Sequence, residues 1–194
     1  MSLQRVCVYC ASSSQCDASY FEETKRLGAL LARNGFTIVY GGGGAGLMGT
    51  LADAALEAGG EVIGVLPHFM KEVEWGHNGL TDMRLVDDMH ERKRIMIESS
   101  QALIALPGGC GTLEELLEAI TWKRLGLHTN PIIIVNAHDF YDPLLAQLER
   151  CIEERFMLPK HRNMWTVVDA VEEVLPALRN AAAWSKEAIH EARL

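Results

Sequence analysis

Apolar positions along this 194-residue chain fall into two alternating kinds of run. Short, nearly unbroken runs read as buried strands: Arg5 to Cys10, Phe36 to Tyr40, Glu61 to Leu66, Met83 to Val86, Ala102 to Leu106 and Pro131 to Val135. Between them lie stretches with helical spacing, at Tyr20 to Arg33, Leu47 to Ala58, Met89 to Ser100, Leu113 to Leu125 and Asp142 to Glu154. A short apolar segment at Met164 to Val168 and a helix from Ala170 to Arg179 complete the series. Asn34-Gly35 and Gly59-Gly60 supply the glycines that end helices. Strands separated by helices build βαβ units, so the pattern predicts an α/β fold, a Rossmann-like doubly wound parallel sheet with helices on both faces. The segment His68 to Asp82 has no periodicity and reads as irregular.

The length suits one domain, read here as residues 1–182, with 183–194 as a C-terminal tail. The longest apolar runs are far short of a membrane span, and the N-terminus enters a strand without a signal-peptide pattern, so a cytoplasmic protein without membrane contact is expected. Five cysteines without regular spacing argue for a reducing compartment. Cys7 and Cys10 form a CxxC, but inside the first strand rather than at a helix start, where a redox thiolate is stabilised. The histidines are scattered, so no metal and no cofactor are expected. With 18 basic and 26 acidic residues the net charge is −8, which removes the attraction that dominates nucleic-acid binding. A small nucleotide needs only a local cluster, and Arg92-Lys93-Arg94 is the tightest one.

The chemistry concentrates at Pro107 to Glu115, PGGCGTLEE, where a strand empties into a glycine turn and a helix. A helix start presents unpaired N–H groups and a positive dipole end, which makes an anion cradle. Gly108, Gly109 and Gly111 are expected to allow positive φ and close backbone approach, and Thr112 to cap the helix or to bond a phosphate. Glu114 and Glu115 then stand in the first turn, where the sugar of a phosphorylated ligand would lie. The same residues also spell a capping box, Thr112 with Glu115. The stripe Leu113, Leu116, Leu117 and Ile120 places Glu115 and Glu118 on the opposite face, either solvated or, with Thr121 and Trp122, against a pocket or a second subunit. On the preceding helix Arg92 faces inward, which calls for a phosphate or a carboxylate such as Glu115 as its partner, the alternatives being a structural ion pair or a stem that snorkels to solvent. Gly41 to Gly46 satisfies GxGxxG, but the next strand begins rather than ends with its acid, Glu61, so a nicotinamide site is not supported. Gly43 and Gly46 are expected to serve packing or ligand approach.

PGGCGTLEE, with MHERK before it, TWKRLG behind it and the GGGGAGLMG loop, resembles the LOG ("lonely guy") family of cytokinin riboside 5′-monophosphate phosphoribohydrolases, whose members are often labelled lysine decarboxylases. The resemblance runs from about Arg5 to Arg179. It implies hydrolysis of the N-glycosidic bond of a purine nucleoside 5′-monophosphate to free base and ribose 5-phosphate, without a cofactor, by a homodimer. It also implies Glu115 and Arg92 as the catalytic pair. Substrate contacts would come from Glu74, Lys93, Gly108, Gly109, Gly111, Thr112, Glu114 and Thr121, with Glu72 two positions from the first of these. The rival reading is a non-catalytic nucleotide sensor or carrier. A decarboxylase would need pyridoxal phosphate on a lysine, and no lysine here has a recognisable setting for it. Cys110 stands where members often carry tyrosine, a thiol that would make the loop sensitive to oxidation.

Overall fold

The computed structural model describes residues 4–73 and 75–191. Seven parallel strands form one sheet: β1 (Arg5–Tyr9), β2 (Thr37–Tyr40), β3 (Val62–Pro67), β4 (Asp82–Val86), β5 (Ala102–Ala105), β6 (Ile132–Val135) and β7 (Thr166–Val168), in the order β4-β3-β2-β1-β5-β6-β7. The helices are α1 (Ala18–Arg33), α2 (Gly46–Glu57), α3 (His68–Glu72), α4 (Met89–Glu98), α5 (Cys110–Arg124), α6 (Asp142–Glu153) and α7 (Val174–Asn180). The chain winds outward from β1 to β4, then returns to the other side of β1 at β5. That reversal is the switch point at which doubly wound sheets open a crevice beyond their carboxyl ends. Register aligns those ends, with Val8 opposite Tyr40 and Tyr9 opposite Ala105.

Alternation along the strands sorts side chains between two cores. Val6, Val8 and Cys10 face α1, α2 and α7, through Leu27, Leu31, Leu51, Ala55 and Val174. Cys7 and Tyr9 face α4, α5 and α6, through Met96, Leu116, Ile120 and Leu148. Each fully buried leucine contributes about 1.5–3 kcal/mol of transfer free energy, and packing of these faces holds the helices more than propensity does. Cys7 and Cys10 therefore stand on opposite faces of the sheet, a placement no disulfide can span.

Four details depart from the sequence reading. The irregular segment contains a short helix, α3. Helix α5 begins at Cys110 with Gly109 as N-cap, not at Leu113 with Thr112 as cap, because the first helical bond runs from Leu113 N–H to Gly109 O. Its inward face is Thr112, Glu115, Leu116, Ala119, Ile120 and Lys123, so the helix is rolled until Leu117 is 39% exposed and Glu115 is inside. The segment read as a tail is laid against α5 through its described part, with Trp184 Nε1 donating to Lys123 O at 2.7 Å and Ala188 buried.

Candidate active site

A cavity of about 670 Å³ opens at the carboxyl ends of the central strands, a volume that suits a small-molecule ligand. Its wall takes Ser12 from the loop after β1, Gly41 from the loop after β2, Leu66 from β3 and Gly109 to Thr112 from the start of α5. Arg92 and Glu115 line it from α4 and α5.

Arg92 is placed by the cap of its helix. Asp88 Oδ1 accepts from the N–H groups of His90 and Glu91, both at 2.8 Å, which fixes the first turn and sends Arg92 inward. Arg92 is only 5% exposed, and its guanidinium is held by oxygen partners in three directions, with Met89 Sδ a weaker acceptor 4.0 Å from Nη1. Nε donates to Val65 O at 3.1 Å, Nη2 to Gly41 O at 3.2 Å, and Nη1 lies 3.2 Å from Glu115 Oε1. Of the partners open to it from sequence, phosphate or carboxylate, the carboxylate is present. A Cβ on Gly41 would lie 1.9 Å from Nη2, so that glycine is needed for the approach of the guanidinium.

The capping box does not form, because Glu115 is 4% exposed and turned toward Arg92 rather than back over the helix start. Burial pushes its carboxyl up to about 7; Arg92 opposes the shift, Glu114 adds to it, Lys93 opposes it and Glu118 adds to it. A carboxylic acid balanced near neutrality, ion-paired and facing a cavity, is equipped for proton and charge work.

Helix α5 has no side-chain cap. The N–H groups of Cys110, Gly111 and Thr112 precede the first intrahelical bond and stand at the cavity wall, the geometry that binding an anion there would need. The glycines make it differently from expectation. None of Gly108, Gly109 or Gly111 is among the positive-φ residues, and Gly109 has φ −84°. Gly108 is instead packed beneath the buried Thr112, whose Oγ1 would stand 2.2 Å from an added Cβ. A Cβ on Gly109 or Gly111 would meet no protein atom within 4 Å.

In the second glycine loop, Gly46 has φ +61° and sits against the carbonyls of Ser12 and Ser13, each 2.4 Å from an added Cβ. Gly43 lies against Met48 and bridges Gly76. Among the described residues assigned from the resemblance, Lys93, Gly108, Glu114 and Thr121 stand off the cavity wall. Lys93 is paired with Glu114 and, at 3.3 Å, with Glu118; Thr121 is exposed, its hydroxyl donating to Leu117 O at 2.8 Å. Glu74 lies outside the described residues. Cys110 is exposed and lines the cavity. Sequence reasoning missed Val65, Ser12 and Trp75 and, while placing Gly41 in the glycine loop at the strand ends, did not foresee its carbonyl as a partner of Arg92. Partners that act through a backbone carbonyl leave no side-chain signal, whereas an apolar residue as bulky as tryptophan in a polar loop was a signal available to be used.

Fold and site together define an α/β protein of the Rossmann-like class with a nucleotide-sized cavity at its strand ends. The family described as "Possible lysine decarboxylase" matches residues 48–178. A cytokinin riboside 5′-monophosphate phosphoribohydrolase of Rhodococcoides fascians is 42% identical over 176 residues, covering 90% of this chain and 89% of its own. Its counterpart LOG1 from Arabidopsis thaliana is 39% identical over 177 residues, covering 91% and 83%. The chain belongs to this LOG family. Among solved structures, the molybdenum cofactor carrier protein of Chlamydomonas reinhardtii superposes with a TM-score of 0.70 at 20% identity, over 92% of this chain and 98% of its own. The molybdenum cofactor binding protein of Rippkaea orientalis gives 0.71 at 22%, over 92% and 97%. These two likenesses show a shared fold.

Proposed function

We propose that the protein hydrolyses the N-glycosidic bond of purine nucleoside 5′-monophosphates, of the cytokinin type or AMP itself, releasing the free base and ribose 5-phosphate. The observation that carries this reading is the buried Arg92–Glu115 pair beside an uncapped helix start in one cavity, in a chain whose relatives are named cytokinin riboside 5′-monophosphate phosphoribohydrolases.

The 5′-phosphate is bound by the N–H groups at the start of α5, with Gly108, Gly109, Gly111 and Thr112 shaping the cradle. That binding, remote from the reacting bond, orients the anomeric carbon. As the C1′–N9 bond breaks, its electron pair leaves with the base and positive charge gathers on the ribose. Ionised Glu115 stabilises that charge and orients the water whose oxygen bonds to C1′; one of the water's protons stays on the new C1′ hydroxyl and the other passes to the departing base. Arg92, fixed by two carbonyls, keeps a part of the Glu115 population ionised and holds it in place.

A homodimer through the exposed face of α5 belongs to the same proposal. Lys93, Glu114 and Thr121 stand on that side of the molecule, off the cavity wall of their own chain, and a second chain is what would bring them, with Glu74, to a nucleotide. Five free thiols fit a cytoplasmic setting.

The test is incubation of the purified protein and a Glu115→Gln variant with AMP and with isopentenyladenosine 5′-monophosphate, following base and ribose 5-phosphate by chromatography. Release by wild type alone is the expected result. Binding without release by wild type would replace the hydrolase with the sensor or carrier reading.

A further inference from the structure

Trp75 lines the cavity, yet 61% of it is exposed. An indole normally buries its large apolar surface, so one held half in solvent at a cavity wall has surface free for a ligand. It is not loosely placed. Its N–H donates to Met70 O at 3.2 Å, and its carbonyl accepts from Gly44 N–H at 2.9 Å. Gly76 then bridges Gly43 in antiparallel fashion, and His77 N–H donates to Gly42 O at 2.9 Å. The loop carrying Trp75 is thus laced, strand-like, to the glycine loop after β2.

His77 closes the lacing. Its Nδ1 accepts from Gly79 N–H at 3.0 Å, which leaves the proton on Nε2, and Nε2 donates to Asp53 Oδ1 on α2 at 2.9 Å. The same wall carries Met48, Met70 and Met89, thioethers that pack favourably against aromatic rings.

We infer that Trp75 is the residue on which the purine base stacks, and that the His77–Asp53 contact is the positioning device that keeps its indole at the wall. This rests on the nucleotide reading above and adds to it the residue that recognises the base by its aromatic face. Stacking is indifferent to the hydrogen-bonding edge of the base, so it would hold plain and N6-substituted adenines alike.

The experiment measures KM and kcat for base release from AMP in wild type, Trp75→Ala, Trp75→Phe and His77→Ala, and by calorimetry, with Glu115→Gln added to each so that AMP is bound without turnover, the affinities for AMP and for ribose 5-phosphate. Trp75→Ala is expected to raise KM and the AMP dissociation constant about tenfold, the range that loss of one stacked base implies, while ribose 5-phosphate affinity stays within about twofold. Trp75→Phe recovers most of the loss, and His77→Ala reproduces part of it with kcat preserved. AMP affinity within about twofold of wild type in Trp75→Ala, or an equal loss for ribose 5-phosphate, overturns the stacking role and leaves the hydrolase standing. Wild type that fails to bind AMP overturns both. Wild type that binds AMP without cleaving it removes the hydrolase alone, and the dissociation constants still decide the stacking role.

Discussion

At the scale of single residues, the decisive fact is that a carboxylate in the second turn of a helix, Glu115 of α5, lies inside the protein. Its burial raises the pKa to about 7, from an ordinary 4.5, and this has a kinetic and a thermodynamic consequence. If ionised Glu115 stabilises the ribose cation, kcat/KM rises with pH through an apparent pKa near 7. Replacing Arg92 by Gln, which removes the charge opposing the shift, moves that limb to higher pH. A pH–rate profile of both proteins checks this, and an unmoved limb in Arg92→Gln rejects the coupling. Glu115→Gln lowers kcat by about 10²–10³, the usual loss when one preorganised charge contact is removed. For stability the sign runs the other way. The folded protein holds the Glu115 proton more tightly than the unfolded chain, so stability is full below pH 4.5 and falls by about 3 kcal/mol as pH rises through 7. Denaturant titrations at pH 5 and pH 8 should show that difference for wild type and its absence in Glu115→Gln.

At the scale of elements, the strands and most helices were legible because burial on both faces writes an unbroken apolar run, and helical amphipathicity writes another. Where the reading slipped, another interaction outweighed the local pattern. Leu113, Leu116, Leu117 and Ile120 form a good stripe, yet α5 is rolled to bury Glu115 and expose Leu117, because the ion pair with Arg92 compensates a buried carboxylate and hydrophobicity alone cannot register a partner on another helix. Inward-facing Arg92 was legible as a demand for a counter-charge, but which group met it was not. The start of α5 was misplaced because glycines bear no cap signal of their own. The structure distinguishes these glycines by mutation. Gly108→Ala drives a methyl into Thr112 and should cost about 1–3 kcal/mol of stability, with weakened nucleotide binding. Gly111→Ala meets no protein atom and adds helix propensity of up to about 1 kcal/mol, so Tm should hold or rise while KM for the nucleotide increases. Thermal melts and KM for the two variants check the contrast; equal Tm losses would show that Gly111 is packed as Gly108 is.

For the whole molecule, the open question is what the exposed face of α5 meets. Helices cover both sheet faces, the cavity sits at the switch point, and α5 joins the two concerns, since its first turn forms the cradle and its outer side carries Glu114, Leu117 and Thr121 toward solvent. Leu117, 39% exposed where its stripe would have it buried, is one of the apolar side chains that a single chain leaves in solvent, and it stands in the middle of this face. A second copy over this side would cover it and carry Lys93, Glu114 and Thr121 toward a shared site. Leu117→Arg places a charge in the middle of such a contact and should convert a dimer to a folded monomer, read by sedimentation, because a like charge brought against its own copy costs several kcal/mol. If the three polar residues act across the contact, kcat/KM falls along with the dimer, and circular dichroism of the variant stays native. A monomeric wild type would remove the assembly, and a monomeric Leu117→Arg with undiminished activity would confine the catalytic machinery to one chain, with Arg92, Glu115 and the α5 cradle sufficient for it.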